Sequence, residues 1–224
     1  MNIALILASG NGTRMGKTDV PKQFLDVDGT PLMFYSVRTF QEHNLVDQIY
    51  IVTNKDYVDF VRQWCLEESF DKVIDIVPGG ATRSESVENG LHAISANPND
   101  VIIIHDSARP LVSEEIITDN ILECQKYGAV VTAIPSVDTV VHSVNDFIND
   151  IPNRSEMFLE QTPQTFKYDI IKHAQSLKNQ DFEITDDCKL VFESGFDIHL
   201  VKGSKRNFKI TTMEDLILFK SLKK

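Results

Sequence analysis

The chain alternates between two hydrophobic rhythms. Short runs at 3–8, 48–53, 72–77, 101–105 and 129–134 are dense in Ile, Val and Ala, and several place apolar residues at consecutive rather than alternate positions. Consecutive apolar positions over so short a span predict strands buried on both faces, as in a parallel sheet covered by helices. The segments between them repeat apolar residues at helical spacing and carry start signals. Thr30-Pro31 offers a cap and an N1 proline, Thr82-Arg83-Ser84-Glu85 has capping-box spacing, and Ser113-Glu114-Glu115 sets a cap ahead of two anions. This order predicts an α/β fold with a doubly wound, mostly parallel sheet, whose ligands sit beyond the carboxyl ends of its strands.

After residue 134 the rhythm changes. Two extended segments flank Asn145-Asp146, and we read 137–151 as a β-hairpin projecting from the sheet. Arg154 and the run Gln161-Thr162-Pro163-Gln164 read as an ordered polar loop. Helices are predicted over 167–176 and 186–193, the second capped by Thr185 and ended by Gly195. A strand at 197–201, a Lys/Arg-rich turn, a short strand at 208–211 and a closing helix begun by Thr212 and Asp215 complete the order. No linker, repeat or low-complexity tract interrupts it, so residues 1–224 are expected to form a single domain.

Composition narrows the partners. A chain of 224 residues buries roughly 70% of its unfolded surface, and 42% hydrophobic with 25% charged residues is ordinary for a globular protein. Lys and Arg number 22 against 33 Asp and Glu, a net charge of −11. Such a chain repels polyanions at long range, which argues against nucleic acid and anionic membrane surfaces as partners. Its cations are bunched, with Arg14, Lys17 and Lys22 early and Lys202, Lys205, Arg206 and Lys209 late. Local positive charge on an acidic background suits small phosphorylated ligands, although the late cluster reads equally well as solvated surface. Cys65, Cys124 and Cys188 are far apart and form no C-x-x-C pair, which predicts reduced thiols and a cytoplasmic location. The N-terminal apolar run is too short to span a membrane and lacks the pattern of a signal peptide.

The candidate chemistry starts where the first strand ends, at Ala8-Ser9-Gly10-Asn11-Gly12-Thr13-Arg14-Met15-Gly16-Lys17, followed by Pro21-Lys22-Gln23-Phe24. Glycines let backbone N–H groups turn towards a ligand and form an anion-binding nest, and the cations add full charges beside it. A dinucleotide fingerprint would need glycine at Met15, and a P-loop would need one at Asn11, so both common cradles fail on spacing. A bare glycine turn after a strand also serves as an ordinary βα connection. Asp106, just past a buried strand, is a hard carboxylate at the ligand edge, suited to Mg²⁺ or to pairing with Arg109. His105 beside it reads as packing.

The full set of motifs resembles a known family. Gly-x-Gly-Thr-Arg-Met-Gly with Pro-Lys-Gln-Phe is similar to the signature of nucleotidyltransferases that couple a nucleoside triphosphate to a sugar or polyol phosphate. Gly79-Gly80 with Arg83 and Ser86, His105-Asp106-Ser107-Ala108-Arg109-Pro110, Asp138-Thr139, Gln161–164, Thr185-Asp186-Asp187 and Asn207-Phe208-Lys209-Ile210-Thr211 follow in order over nearly the whole chain. Together they resemble the sugar-alcohol-phosphate cytidylyltransferases, which include the methylerythritol phosphate enzymes of isoprenoid synthesis and the ribitol phosphate enzymes of teichoic-acid synthesis.

The resemblance implies a Rossmann-like nucleotidyltransferase sheet, CTP and a polyol phosphate as substrates, Mg²⁺ as cofactor, and a homodimer whose hairpin arm crosses to the neighbour. It implies that Arg14, Lys22, Asp106 and Lys209 carry the transfer, with the metal at Asp106. Lys17 matches no family position. Ala8, Ser9, Gly10, Gly12, Thr13, Gly79, Gly80, Arg83, Ser86 and Ser107 are implied to hold the nucleotide. At residue 81, often acidic in the family, Ala81 leaves only backbone for any contact. Arg109, Thr139, Arg154, Thr162 and Thr185 are implied to hold the acceptor. In the methylerythritol branch Lys commonly flanks the Asp-Thr pair and Ala-Ser-Leu follows Thr-Asp-Asp; here those places hold Val137, Val141 and Cys188-Lys189-Leu190. Residues 150–154 and 161–166 look more like the ribitol phosphate branch, so ribitol 5-phosphate is the expected acceptor and methylerythritol 4-phosphate the alternative. Uridylyl- or guanylyltransferases should lack the combined Gln-Thr-Pro-Gln and Thr-Asp-Asp segments. A non-catalytic nucleotide binder should have lost Arg14, Lys22 or Asp106.

Overall fold

The computed structural model describes residues 1–10, 20–177 and 186–223. Its elements are β1 (Asn2–Ala8), β2 (Asp26–Val27), β3 (Thr30–Pro31), α1 (Met33–Glu42), β4 (Gln48–Thr53), α2 (Val58–Glu67), β5 (Val73–Pro78), α3 (Arg83–Ala93), β6 (Val101–Asp106) and α4 (Glu114–Tyr127). There follow β7 (Ala129–Pro135), β8 (His142–Val144), β9 (Phe147–Asp150), β10 (Phe158–Lys167), α5 (Tyr168–Ser176), α6 (Asp187–Glu193), β11 (His199–Lys202) and α7 (Met213–Leu222). The main sheet runs β11-β7-β10-β6-β1-β4-β5 among the described residues. β1 pairs in parallel with β4 on one side and β6 on the other, so the chain winds outward in both directions from its first strand. β10 alone is antiparallel, inserted between β6 and β7.

Both faces of the sheet are covered, which explains the unbroken apolar runs. Ile3, Leu5 and Leu7 of β1 pack with Val87 and Leu91 of α3 and with Ile171 and Ala174 of α5. Ala4, Ile6 and Ala8 face the other way, onto Phe34, Val37 and Phe40 of α1 and Ile116 and Ile117 of α4. Each large aliphatic side chain so buried contributes roughly 1.5–3 kcal/mol of transfer free energy. α3 reaches the sheet closely because Gly90 has no side chain: a Cβ there would lie 2.5 Å from Leu5 Cδ1 and 2.9 Å from Val52 Cγ2. Gly90→Ala should therefore overpack this face and cost about 1–3 kcal/mol. At about 2–4 °C per kcal/mol for a chain of this size, a thermal melt should show the loss as a lowered Tm; an unchanged Tm would contradict the packing.

The predicted caps at Thr82 and Ser113 accept from the amides of Glu85 and Ile116, and Thr212 with Asp215 forms a reciprocal capping box. The projecting hairpin is present as β8 and β9, turning at Asn145 and Asp146 with φ of 51° and 63°.

Four local expectations need correction. Thr30-Pro31 does not open α1: it is β3, paired with β2 across a turn at Asp28 and Gly29, both at positive φ. Residues 161–164 are not a loop but the interior of β10. Pro163 and the polar glutamines disguise the strand, which tolerates them because it bulges between Glu160 and Gln164 and because the side-chain polar atoms it buries there find partners. Thr132 Oγ1 donates to the Pro163 carbonyl, Gln161 Nε2 to the Ser204 carbonyl, and Gln164 Oε1 accepts from the amides of Asp187 and Cys188. Residues 208–211 form no strand; the segment is irregular and held by Ile210 N–H donating to the Ala108 carbonyl at 2.8 Å. Finally, α6 is capped by Asp186, whose carboxylate accepts from Lys189 N–H; Thr185 lies outside the described residues.

Candidate active site

The carboxyl ends of β1, β4, β5 and β6 open into one cavity of about 500 Å³, the place where a sheet that winds both ways exposes its crevice. One wall is the junction of the β1 end with the β5–α3 turn. Gly79 N–H donates to the Thr53 carbonyl at 2.7 Å, and Ser9 Oγ donates to Ser86 Oγ at 2.8 Å. Ser86 Oγ in turn accepts from Gly80 N–H at 3.1 Å and donates to the Thr82 carbonyl at 2.9 Å. A side chain at Gly79 would put its Cβ 2.5 Å from Ser9 Cβ, and one at Gly80 would meet Glu85 Cβ at 2.3 Å. Gly79 is therefore required by the close approach of the turn to Ser9, and Gly80 by the close approach of Glu85 on α3. The Ala81 amide, the backbone contact anticipated at that position, is already bonded to Glu85 Oε2 at 2.7 Å.

The remaining lining carries the charge. Asp106 ends β6 and is buried, with Lys209 Nζ at 2.6 Å from Oδ2 and Arg83 Nε at 3.5 Å from Oδ1. Burial favours its neutral form, yet the cations around it prevail, with Lys209 and then Arg83 holding the carboxyl well below the usual carboxylate range. Arg83 also pairs with buried Asp187 through Nη1 at 2.7 Å. Although burial opposes the charge on Arg83, Asp187 and Asp106 reinforce it. Lys22, in a short turn of 3₁₀ helix after Pro21, reaches into the same cavity, and its Nζ donates to the Ile210 carbonyl at 2.8 Å. Ala8, Gly10 and Ser107 also line the cavity.

The residues implied to hold the acceptor are arranged differently. Arg109, Thr139, Arg154 and Thr162 do not line this cavity. Thr162 is buried beside it, accepting from Asp106 N–H at 3.1 Å. Arg109 Nη1 donates to the Asn207 carbonyl at 2.8 Å while its Nε is buried with no partner. Thr139 is exposed beyond β7. Arg154 is exposed too, its Nη1 at 3.5 Å from the Val137 carbonyl at the base of the hairpin. Gly12, Thr13, Arg14, Lys17 and Thr185 lie outside the described residues.

Several residues of the site had no signal of their own in the sequence. Asn54 and Lys55 line the cavity from the end of β4, and Gln23 lines it while donating to the Ala8 carbonyl at 2.6 Å. Asp187 carries no signal in the sequence beyond its place in Thr185-Asp186-Asp187. His105 is fully buried, and burial pushes its imidazole down to about 4, so it is neutral at physiological pH. No group of three or more His, Cys, Asp or Glu able to hold a metal is found among the described residues. A single ionised carboxylate at the cavity still fits Mg²⁺, which binds through one or two carboxylates and completes its shell with substrate phosphates and water.

A doubly wound sheet whose first strand runs into a glycine-rich sequence, opening onto a cavity with lysines and an ionised aspartate, defines a Rossmann-like nucleotidyltransferase. The chain belongs to the 2-C-methyl-D-erythritol 4-phosphate cytidylyltransferase family, whose model matches residues 2–222. It is 40% identical over 225 residues to the 2-C-methyl-D-erythritol 4-phosphate cytidylyltransferase of Clostridium novyi (strain NT), covering 99% of this chain and 96% of that protein. It is 38% identical over 227 residues to the ribitol-5-phosphate cytidylyltransferase of Vibrio parahaemolyticus serotype O3:K6, covering 99% and 95%. Among solved structures, the 4-diphosphocytidyl-2C-methyl-D-erythritol synthase of Anaerococcus prevotii DSM 20548 superposes with a TM-score of 0.83 at 32% identity, covering 98% of this chain and 96% of that one. The cytidylyltransferase fold and class expected from the motifs are thus borne out.

Proposed function

We propose that this protein transfers CMP from CTP to a polyol phosphate, with ribitol 5-phosphate as acceptor, releasing pyrophosphate and CDP-ribitol. The observation that carries the reading is the sharing of one cavity by Lys22, the Asp106–Lys209 pair and the Gly79-Gly80 turn with Ser86. The base and ribose would rest against the glycine turn, Ser9 and Ser107, with the triphosphate bound by Gly10, Gly12, Thr13 and Arg14.

An oxygen of the acceptor's phosphate attacks the α-phosphorus of CTP. A new P–O bond forms as the bond to the β-phosphate oxygen breaks, and pyrophosphate leaves with the electron pair. A phosphate monoester has a second pKa of about 6, so the attacking oxygen is already ionised at neutral pH and needs no general base. The barrier is then alignment and charge repulsion, which fixed cations lower. Lys22 and Arg14 neutralise the phosphates of CTP. Lys209 and Arg109 hold the acceptor phosphate, assisted by Thr139, Arg154 and Thr185, while Thr162 holds Asp106 in place through the Asp106 backbone N–H. Asp106 would hold Mg²⁺, which supplies further charge neutralisation on the phosphates when bound.

The exposed apolar residues Phe147 and Ile148 on the hairpin, with Ile151 just beyond it, support 137–151 as the arm of a homodimer that brings Arg154 to the neighbouring site. Buried, unreactive Cys65 and Cys124, whose thiols burial pushes up to about 12, agree with work in the cytoplasm. No described helix is long and apolar enough to cross a membrane.

The second reading, 2-C-methyl-D-erythritol 4-phosphate as acceptor, is favoured by the family model and by the Clostridium novyi relative. The absence of lysine at Val137 and Val141 favours ribitol phosphate. Pyrophosphate release measured over CTP, UTP, GTP and ATP with each acceptor decides between them. We expect release with CTP and ribitol 5-phosphate. Release only with the methylerythritol phosphate would select the second reading, and release with neither acceptor would overturn both.

A further inference from the structure

We infer that His105 is a positioning residue of the transfer reaction: its imidazole, donating from Nε2 and accepting at Nδ1, closes a ring of hydrogen bonds that fixes Asp106 and Arg109 relative to one another. The inference deepens the cytidylyl-transfer reading and rests on it for the kinetic outcomes below.

The ring can be followed atom by atom. His105 Nε2 lies 3.2 Å from the Arg109 carbonyl, which can only accept, so Nε2 carries the proton. Nδ1 is then the acceptor, and Thr162 Oγ1 donates to it at 3.1 Å. The Thr162 carbonyl accepts from Asn207 Nδ2 at 2.9 Å, and the Asn207 carbonyl accepts from Arg109 Nη1 at 2.8 Å, which returns to the start. Asp106 N–H enters the ring through Thr162 Oγ1 at 3.1 Å. Lys209, two residues beyond Asn207, then meets Asp106 Oδ2 at 2.6 Å.

Three stretches distant in sequence, 105–109, 162 and 207–209, are thus locked together through one buried imidazole against the ring of Phe40, 5.2 Å away. The Thr162 hydroxyl proton is committed to His105, so Thr162 acts on the reaction through Asp106 and not by donating to the acceptor.

The test separates the two halves of the ring. The side-chain oxygen of His105→Asn can replace Nδ1, preserving the Thr162–Asp106 half and losing the Arg109 half. The amide nitrogen of His105→Gln can replace Nε2, with the opposite result. H105N should raise the acceptor KM about tenfold while kcat stays within about threefold, and H105Q should lower kcat about tenfold or more with a smaller change in acceptor KM. The KM for CTP should stay within about twofold of wild type in both.

Equal changes in the two variants, or none, would overturn the inference, since a histidine that only fills space predicts a shared loss of Tm without this split. Thr162→Val, which keeps shape but removes the donor to Nδ1, should behave as H105Q does; normal turnover would count against the ring and covers the case of a histidine variant that does not fold. Independently of catalysis, ¹⁵N-histidine NMR of the wild-type protein should show the Nε2–H tautomer at His105, and an Nδ1–H tautomer would overturn the ring even if the enzyme were active. Conversely, a wild-type protein that releases no pyrophosphate yet shows the Nε2–H tautomer would fail the functional reading and leave the ring standing.

Discussion

Lys22→Ala should leave a folded protein whose kcat for pyrophosphate release is lower by at least about 10²-fold, the usual cost of removing one fixed electrostatic donor. Lys22 is only partly buried, and its neighbours Gln23 and Phe24 do the packing in this turn, so little of the fold depends on its side chain. Its ammonium group lies 2.8 Å from the Ile210 carbonyl, next to Lys209 in the chain. That bond holds it at the cavity within the same segment that brings Lys209 to Asp106. In the transition state negative charge builds on the departing pyrophosphate, so the contact is worth more there than in the ground state. The signature should be a collapse of kcat with a modest change in the KM for CTP, alongside an unchanged circular dichroism spectrum. Turnover near that of wild type would contradict the cradle.

Asp106→Asn should be as severe, lowering kcat by about 10²–10³-fold. The amide keeps the size of the carboxylate but removes the charge that pairs with Lys209 and Arg83 and that would hold the metal. Arg83 retains Asp187 at 2.7 Å, and Lys209 can turn to water, so the fold should survive with a loss of about 1–3 kcal/mol. Raising the Mg²⁺ concentration should recover part of the rate if the carboxylate anchors the cation. No recovery together with an unchanged kcat would exclude Asp106 from the reaction. The same position tests the proposed dimer. Asp106→Ala and Arg154→Ala subunits, each inactive alone, should regain partial activity when mixed, because one site in the mixed dimer would hold both native residues. Failure to complement would place Arg154 in its own subunit's site.

Local patterns made much of this legible. The five parallel-strand runs, the caps at Thr82, Ser113 and Thr212 and the turn at Asn145-Asp146 are decided by neighbours within a few residues, so the chain itself encodes them. The glycine spacing, which ruled out two other cradles, and the ordered motifs identified the class that the family match bears out.

What lay beyond the sequence was whatever depends on partners distant in the chain. β10 read as a loop because its glutamines and Pro163 look unfit for a sheet interior, and only bonds to Thr132, Asp187, Cys188 and Ser204 make that burial tolerable. Arg83, expected beside the nucleotide, proved also to bridge Asp106 and Asp187. His105 looked like packing because a lone histidine at a strand end carries no pattern, while its hydrogen-bond partners stand at 109 and 162. Backbone geometry and apolar periodicity are local and therefore written in the sequence. The pairing of buried polar groups is settled only when the sheet brings separated segments within about 3 Å of one another, and it is there that the tertiary structure decided which side chains meet in the site.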